Sequence, residues 1–323
     1  MKHLLILISA IVLFTACSKK QYFEPEDTSS FNQDSKSISS SIKSFNRDGA
    51  TLDNGQFISS KGVSDIKLSE GFEFLNLNEG KVISTNIKDK IFVGSKEIVT
   101  NTAVVAASMK DDILALVNSD NSIMAYDLRD GKILFKEYLS KSLANDTRIA
   151  APFFMSNLIL FPTLDGKILV VSAQNYKVVR NIIVDADNKF NNIIYLNVVN
   201  NTLIAASSKK VISVGDGVLN VKEYDLRDII SHGNDIYLAT IDGQIIKTDI
   251  MLNALALKKY KYAKFYALAF GSSIYALESQ GYLINISEDF KTDKIYDYSF
   301  DEEDKVIVFD DTIYIHDEYI KLK

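Results

Sequence analysis

Short apolar runs alternate with polar turns along most of this chain, and the runs recur in groups. In residues 151–179, APFFMSNLILFPTLDGKILVVSAQNYKVV, a strand-like run at 158–161 meets a turn at Asp165-Gly166. A second run follows at 167–171, then a polar turn, then a third run at 177–179. The same phrase stands upstream at 113–140 and downstream at 235–260. Anchoring each copy on the first apolar residue after its first turn gives Phe72, Ile123, Ile168, Val211, Ile245, Leu283 and Ile313, spaced 30 to 51 residues apart. No single copy can bury its apolar face, so the repeat demands a ring or stack of such units.

The turns have a physical basis. Asp165-Gly166 and Asp242-Gly243 tolerate positive φ between two strands, as tight hairpins require. Runs such as 158–161 are apolar throughout, which fits strands packed between neighbours, and no long stretch keeps a helical period. The expected fold is therefore all-β, a β-propeller of four-stranded blades. Seven blades are counted, with an eighth allowed as a degenerate unit at 92–99. The ring is expected to close by pairing of the C-terminal strand, 312–316 or 319–322, with an N-terminal strand near 56–60.

The N-terminus obeys a different pattern. Lys2 and His3 precede an apolar run, 4–14, which ends in Phe14-Thr15-Ala16-Cys17. That run is shorter than the roughly 20 residues a bilayer span needs, and it reads as a signal peptide over 1–16. Cys17 directly after Thr-Ala resembles a bacterial lipobox, which implies lipidation (an acyl anchor such as palmitate) at Cys17. Ser18 after it resembles an outer-membrane sorting signal. Residues 17–49 are rich in Ser, Asp, Asn and Lys, with too little apolar surface to offset their ordering entropy. They read as a flexible lipidated tether with a reach of about 30 Å. Ile38, Ile42 and Phe45 have helical spacing, so a short helix at 37–45 is the alternative. The propeller is expected to occupy 50–323.

Composition narrows the function. The 323 residues are 47% hydrophobic and 24% charged, with no Trp, one Cys and a net charge of −6. A single cysteine supplies no disulfide framework in an exported protein, and the acidic balance argues against nucleic acid as a partner. No metal site or cofactor is expected. Apart from His3, the only histidines are His232 and His316, and neither has a ligand at metal spacing. Asp185-Ala186-Asp187-Asn188-Lys189 begins like a calcium loop but carries Lys at a ligand position, so a solvated loop is the simpler reading. Acidic residues 301–304 read as a solvated turn. One segment stands out as a partner-binding candidate. Lys258, Lys259, Tyr260, Lys261, Tyr262 and Lys264 interleave cations with aromatics. Period-two alternation, with aromatics inward and lysines outward, is the competing structural account.

The unit "strand, Asp-Gly, Lys-Ile-Leu-Val-Val-Ser, turn, Lys-Val-Val" resembles the PQQ-like β-propeller repeat, closest at 113–136 and 151–179 and looser at 235–250 and 273–286. With the lipobox, the whole resembles the BamB family of outer-membrane β-barrel assembly lipoproteins. It departs from that pattern in lacking the repeat's Trp, with Phe135 and Val179 in its place. Quinoprotein dehydrogenases share the repeat but hold their quinone on a Trp beside a cysteine pair, neither of which occurs here, so no enzyme is expected. The resemblance implies a monomeric, non-catalytic scaffold, lipid-anchored in the outer membrane and facing the periplasm, within a complex. Its partners would be barrel-assembly proteins or unfolded outer-membrane clients. The alternative is a surface-exposed lipoprotein that binds host or extracellular proteins or glycans.

Overall fold

The computed structural model describes residues 21–142, 148–186, 191–300 and 303–323. These residues form strands and turns with no helix, arranged as eight antiparallel blades. In chain order, the inner strands of the blades are Ile42–Phe45, Glu73–Asn78, Val104–Lys110, Phe153–Met155, Tyr195–Val199, Leu226–His232, Phe265–Phe270 and Val306–Phe309. From each, the chain steps outward through hairpins. Blade 8 has only three strands of its own, and Lys36–Ser37 supplies the fourth by pairing with Glu318–Lys321, Lys36 opposite Tyr319.

Side-chain alternation explains why a disc forms. In the second strand of blade 3, Leu114 and Leu116 pack toward blade 2, while Ala115 and Val117 pack toward blade 4. Both faces of the strand are thus apolar, and each is buried by a different neighbour. Seven hydrophobic clusters fill seven of the eight junctions between blades, including Ile307 and Tyr314 of blade 8 against Ile42, Ala50 and Ile58 of blade 1. The remaining junction, between blades 1 and 2, is made by Phe57 stacked on Phe74 with centroids 4.9 Å apart. Each fully buried aliphatic contributes about 1.5–3 kcal/mol, so stability resides between blades rather than within them.

A single hydrogen bond recurs in every blade. The chain leaving the outer strand donates an N–H to a carbonyl in the turn between the second and third strands. Leu68 bonds Gly55 (2.8 Å), Thr100 bonds Asp89 (2.6 Å), Leu139 bonds Asn121 (3.3 Å) and Val184 bonds Gly166 (2.9 Å). The series continues with Tyr224 to Lys209 (3.0 Å), Tyr260 to Gly243 (2.8 Å) and Tyr298 to Gly281 (2.8 Å). In blade 8 the donor is Ile38, bound to the Asp317 carbonyl at 2.7 Å, so the N-terminal segment reproduces both the missing strand and its exit clip. Gly166 and Gly243 sit at these turns with φ of 77° and 84°. A Cβ on Gly243 would lie well inside contact distance of the Tyr260 carbonyl oxygen, and one on Gly166 would do the same to Asp185. The preceding threonine holds each turn: Thr163 Oγ1 accepts from Lys167 N–H at 2.9 Å, and Thr240 Oγ1 from Gln244 N–H at 3.0 Å.

Several expectations need correction. The blade number is the eight that the sequence allowed, but the eighth unit is not at 92–99, which forms the third and fourth strands of blade 2 (Lys90–Val93 and Lys96–Val99). The unit missed by the repeat pattern is blade 1, whose middle strands, Ala50–Leu52 and Phe57–Ser59, are too short to show a period. Five anchors, from Ile123 to Leu283, mark third strands, whereas Ile313 lies in a second strand and Phe72 just precedes an inner one. Ring closure uses Lys36–Ser37 rather than 56–60, which lies inside blade 1. The segment assigned to the tether is therefore ordered from residue 21 within the described chain. Phe23 is buried against Tyr260 and Tyr282, and Ile38, Ile42 and Phe45 belong to strands and their joint rather than a helix. Cys17 and the signal segment lie outside the described residues.

Two outcomes follow. Deleting residues 21–37 should abolish the single cooperative thermal transition seen by circular dichroism; an unchanged melting curve would sink this account of closure. Gly243→Ala should cost about 3 kcal/mol in urea denaturation, from left-handed strain plus overpacking. Gly80→Ala, at φ +74° but with nothing near its Cβ, should cost only about 1 kcal/mol.

Candidate functional site

The inner strands line a central channel that one side chain divides. Arg47, in the first turn of blade 1, reaches across to blade 6. There Nη1 donates to Asp228 Oδ1 at 3.0 Å and Nη2 donates to the Ile229 carbonyl. Its guanidinium also lies 5.1 Å from the centre of the Tyr195 ring in blade 5. Arg47 thereby lines two cavities, of about 440 Å³ among blades 1, 6, 7 and 8 and about 650 Å³ among blades 2 to 5. Asp228 is a shared anchor. Its Oδ2 accepts the Leu268 N–H of blade 7 at 2.8 Å, and Arg148 lies 3.7 Å from its Oδ1. With Asp228 buried and Arg47 largely so, the pair positions three blades, and truncating either partner would strand a desolvated charge.

Other side chains in or just beyond the inner strands extend this tie around the channel. Asn46 Nδ2 donates to the Phe74 carbonyl (2.7 Å), Asn76 Nδ2 to Ala107 (2.9 Å), and Asn197 Nδ2 to Ser231 Oγ (2.9 Å). These polar groups serve the joints between blades. Asp48, beside Arg47, is different: burial pushes its carboxyl up to about 7, against the pull of the Arg47 charge. His232 of blade 6 stacks on Phe270 with centroids 3.7 Å apart, and His316 lies 3.7 Å from Asp304. Among the described residues no group of three or more His, Cys, Asp or Glu side chains is placed to hold a metal. Asp185 is buried and accepts from Ser207 Oγ at 2.9 Å rather than lying in a solvated loop, while 187–190 fall outside the described residues. Of the acidic run, 301 and 302 also fall outside them.

The basic-aromatic segment is split by the fold. Lys258 lies in the outer strand of blade 6, Ala254–Lys259, and pairs with Asp293 of blade 7; Lys259, which ends that strand, pairs with Asp242 at 2.9 Å. Hydrogen bonding from Thr240, then from Lys259, holds Asp242 down to about 2. Tyr260 is the buried exit clip described above, its phenol pushed up by burial, and the Lys264 N–H donates to Glu278 of blade 7 at 3.0 Å. Lys259, Lys261, Tyr262 and Lys264 are exposed, and the Lys261 ammonium lies 4.8 Å from the centre of the Tyr262 ring. Three of the six, Lys258, Tyr260 and Lys264, thus belong to the joint between blades 6 and 7, while Lys259 pairs within blade 6.

The rim presents a second kind of surface. Exposed apolar side chains gather on the outer strands of blades 3 to 6: Ile133 and Tyr138, then Val179 and Ile183, then Val218 and Leu257. Among the described residues, no other strand pairs with the outer edge of these strands and its backbone N–H and C=O groups. Blade 7 differs. Ser29–Ser30 pairs in parallel with its outer strand, Asp293–Asp297, making a sheet of five. Phe31 follows and meets Tyr296 and Tyr298 edge-on, at 5.2 and 5.6 Å. Sequence reasoning missed Arg47, Asp48, Asp228 and Ser29–Phe31. The one signal available was the presence of Phe23 and Phe31 in an otherwise polar stretch.

Asp48 makes the channel sensitive to pH. Its carboxyl stays protonated in the folded protein at pH values where the unfolded chain, with an ordinary value near 3.8, has ionised. The folded state then binds the extra proton, so stability falls as pH rises from about 4 to about 7. Asp48→Asn should flatten that slope and raise Tm at pH 8 relative to the parent; superimposable pH profiles of Tm would contradict this.

Comparison with known proteins places these features. No protein-family model matches the chain. It is 29% identical over 382 aligned positions to plasminogen-binding protein PgbB of Helicobacter pylori strain J99, covering 98% of this chain and 70% of that one. PgbB of strain 26695 matches at the same identity and coverage. Among solved structures, BamB from Moraxella catarrhalis superposes with a TM-score of 0.65 at 13% identity, over 92% of this chain and 99% of that one. Sqt1 of Saccharomyces cerevisiae gives 0.64 at 10% identity, over 91% and 99%. The computationally designed Ika8 protein gives 0.61 at 15%, over 91% and 98%. The fold is thus that of a BamB-like propeller.

Proposed function

We propose that this protein is a docking scaffold for other proteins, held by a lipid on Cys17 at the periplasmic face of the outer membrane and serving β-barrel assembly there. The observation that carries the docking role is the parallel pairing of Ser29–Ser30 with Tyr296 and Asp297. An extended segment is already added to a blade edge, by the chain itself. The outer strands of blades 3 to 6 offer the same backbone groups uncovered, flanked by apolar side chains such as Val179 and Val218. Strand addition of this kind draws affinity from main-chain hydrogen bonds and selects for alternating apolar residues. Unfolded outer-membrane clients carry that pattern in their transmembrane strands. Nothing in such a role calls for a catalytic residue. The lipobox-like ending at Cys17 and the BamB-like shape support the location and the assembly setting.

A second reading has its own support. The similarity to PgbB runs along 98% of the chain and favours an extracellular protein, plasminogen among them, as the ligand of the same surface. The two readings differ in where the propeller sits. Affinity capture of the tagged lipoprotein from detergent-extracted native membranes, with mass spectrometry of co-purified proteins, should recover the barrel-assembly protein. Capture of the bait alone, together with its digestion by protease on intact cells and retention of added plasminogen, would replace assembly with surface binding.

A further inference from the structure

Among the described residues only one blade carries a fifth strand, and the fit of that strand is partial. The outer strand of blade 7 is five residues long, Asp293–Asp297, yet Ser29–Ser30 engages Tyr296 and Asp297 alone. Among the described residues no strand pairs with 293–295 on that edge. Ser29 and Ser30 bring little apolar surface. The grip comes from Phe31, whose ring meets Tyr296 and Tyr298 edge-on. Such edge-to-face contacts are worth about 0.5–1.5 kcal/mol each beyond area burial, and any phenyl or phenol side chain satisfies them.

We propose that the outer edge of blade 7 is an exchangeable strand-docking site. It takes an extended segment of a partner protein that runs parallel to Asp293–Asp297 and carries an aromatic residue just beyond its paired stretch. Ser29–Phe31 is the resident that holds the place. This deepens the docking role above and rests on blade edges being where partners bind.

Three features fit exchange. A partner strand that pairs along all five residues gains three residue pairs that Ser29–Ser30 does not make. Blade 7 has its complete set of four strands without the resident, so its departure leaves the blade intact. The ring-closing strand Lys36–Ser37 lies further along the chain and pairs with a different blade, so the ring stays closed. Against these stands the high local concentration of the resident, about millimolar for a short linkage. A weak or short partner segment is therefore refused, and a longer one with an aromatic anchor is admitted.

The test uses the full chain and synthetic peptides. The double substitution Ser30→Pro, Phe31→Ala removes a backbone N–H from the resident's paired stretch and its aromatic anchor. A fluorescent peptide copying residues 25–34 should bind this variant at least tenfold more tightly than the parent protein, by anisotropy. The same peptide with Ala at the Phe31 position should not bind. A peptide with five alternating Thr and Val residues ahead of the Phe should bind the parent as well. A variant that melts like the parent yet binds none of these peptides overturns the proposal. So does a variant that becomes dimeric by light scattering, since the edge then serves a second copy of this chain. If the double variant melts differently, Phe31→Ala alone carries the same comparison. Peptide binding without recovery of a barrel-assembly partner would fault the assembly setting and leave the edge standing; the converse would fault the edge alone.

Discussion

The structure depends on one constraint: every blade is apolar on both faces, so each can be buried only by having a neighbour on each side. A row of blades would leave two such faces in water, and a ring leaves none. Closing the ring therefore decides whether Ile307, Tyr314, Ile42 and Ile58 lie in a core or at an open end. The chain solves this with two residues, Lys36 and Ser37, set against Glu318 and Tyr319, and with the Ile38 clip to the Asp317 carbonyl. Little energy resides in that strand itself. Its effect is to fix the position of a junction whose energy resides in the side chains around it.

The eightfold clip shows how a repeat with little sequence identity keeps its shape. The acceptor is Gly at four blades and Asn, Asp or Lys at the others, and the donor ranges from Thr to Tyr. What is shared is a backbone bond, which leaves no residue signature except where the approach is too close for a Cβ. Gly166 and Gly243 are those positions, and they are the ones where Asp-Gly was visible in the sequence. Around the channel the same economy applies. Arg47, Asp228 and a series of amide side chains join blades through polar contacts, so the wall of the channel is structural before it is anything else.

The propeller was legible because strands at 113–138, 153–183 and 226–259 are long enough for apolar period and turn residues to be counted. Blade 1 was not, since strands of three residues carry no period and Ser-rich flanks mask their start. The N-terminal segment was misjudged for a related reason. Its composition cannot form a core alone, but Phe23, Phe31 and Ile38 need none of their own when blades 6, 7 and 8 provide the surface. The basic-aromatic segment was conspicuous in sequence because a buried clip residue, Tyr260, happens to sit between lysines paired with neighbouring turns and blades. The division of the channel by Arg47 joins residues 47 and 228, a pairing no local pattern announces.

The partnership of Lys36 with Tyr319 also sets a schedule. Blades 2 to 7 can stack in the order in which they emerge, each covering one face of the last. The strand that completes blade 8 is among the first parts of the domain to emerge and the last to find its place. Until the final residues appear, the growing stack carries an uncovered apolar face at each end, the condition under which long-range β topologies fold slowly and aggregate. A chain of this design depends on being kept unfolded, or guarded, until its last residues are in place.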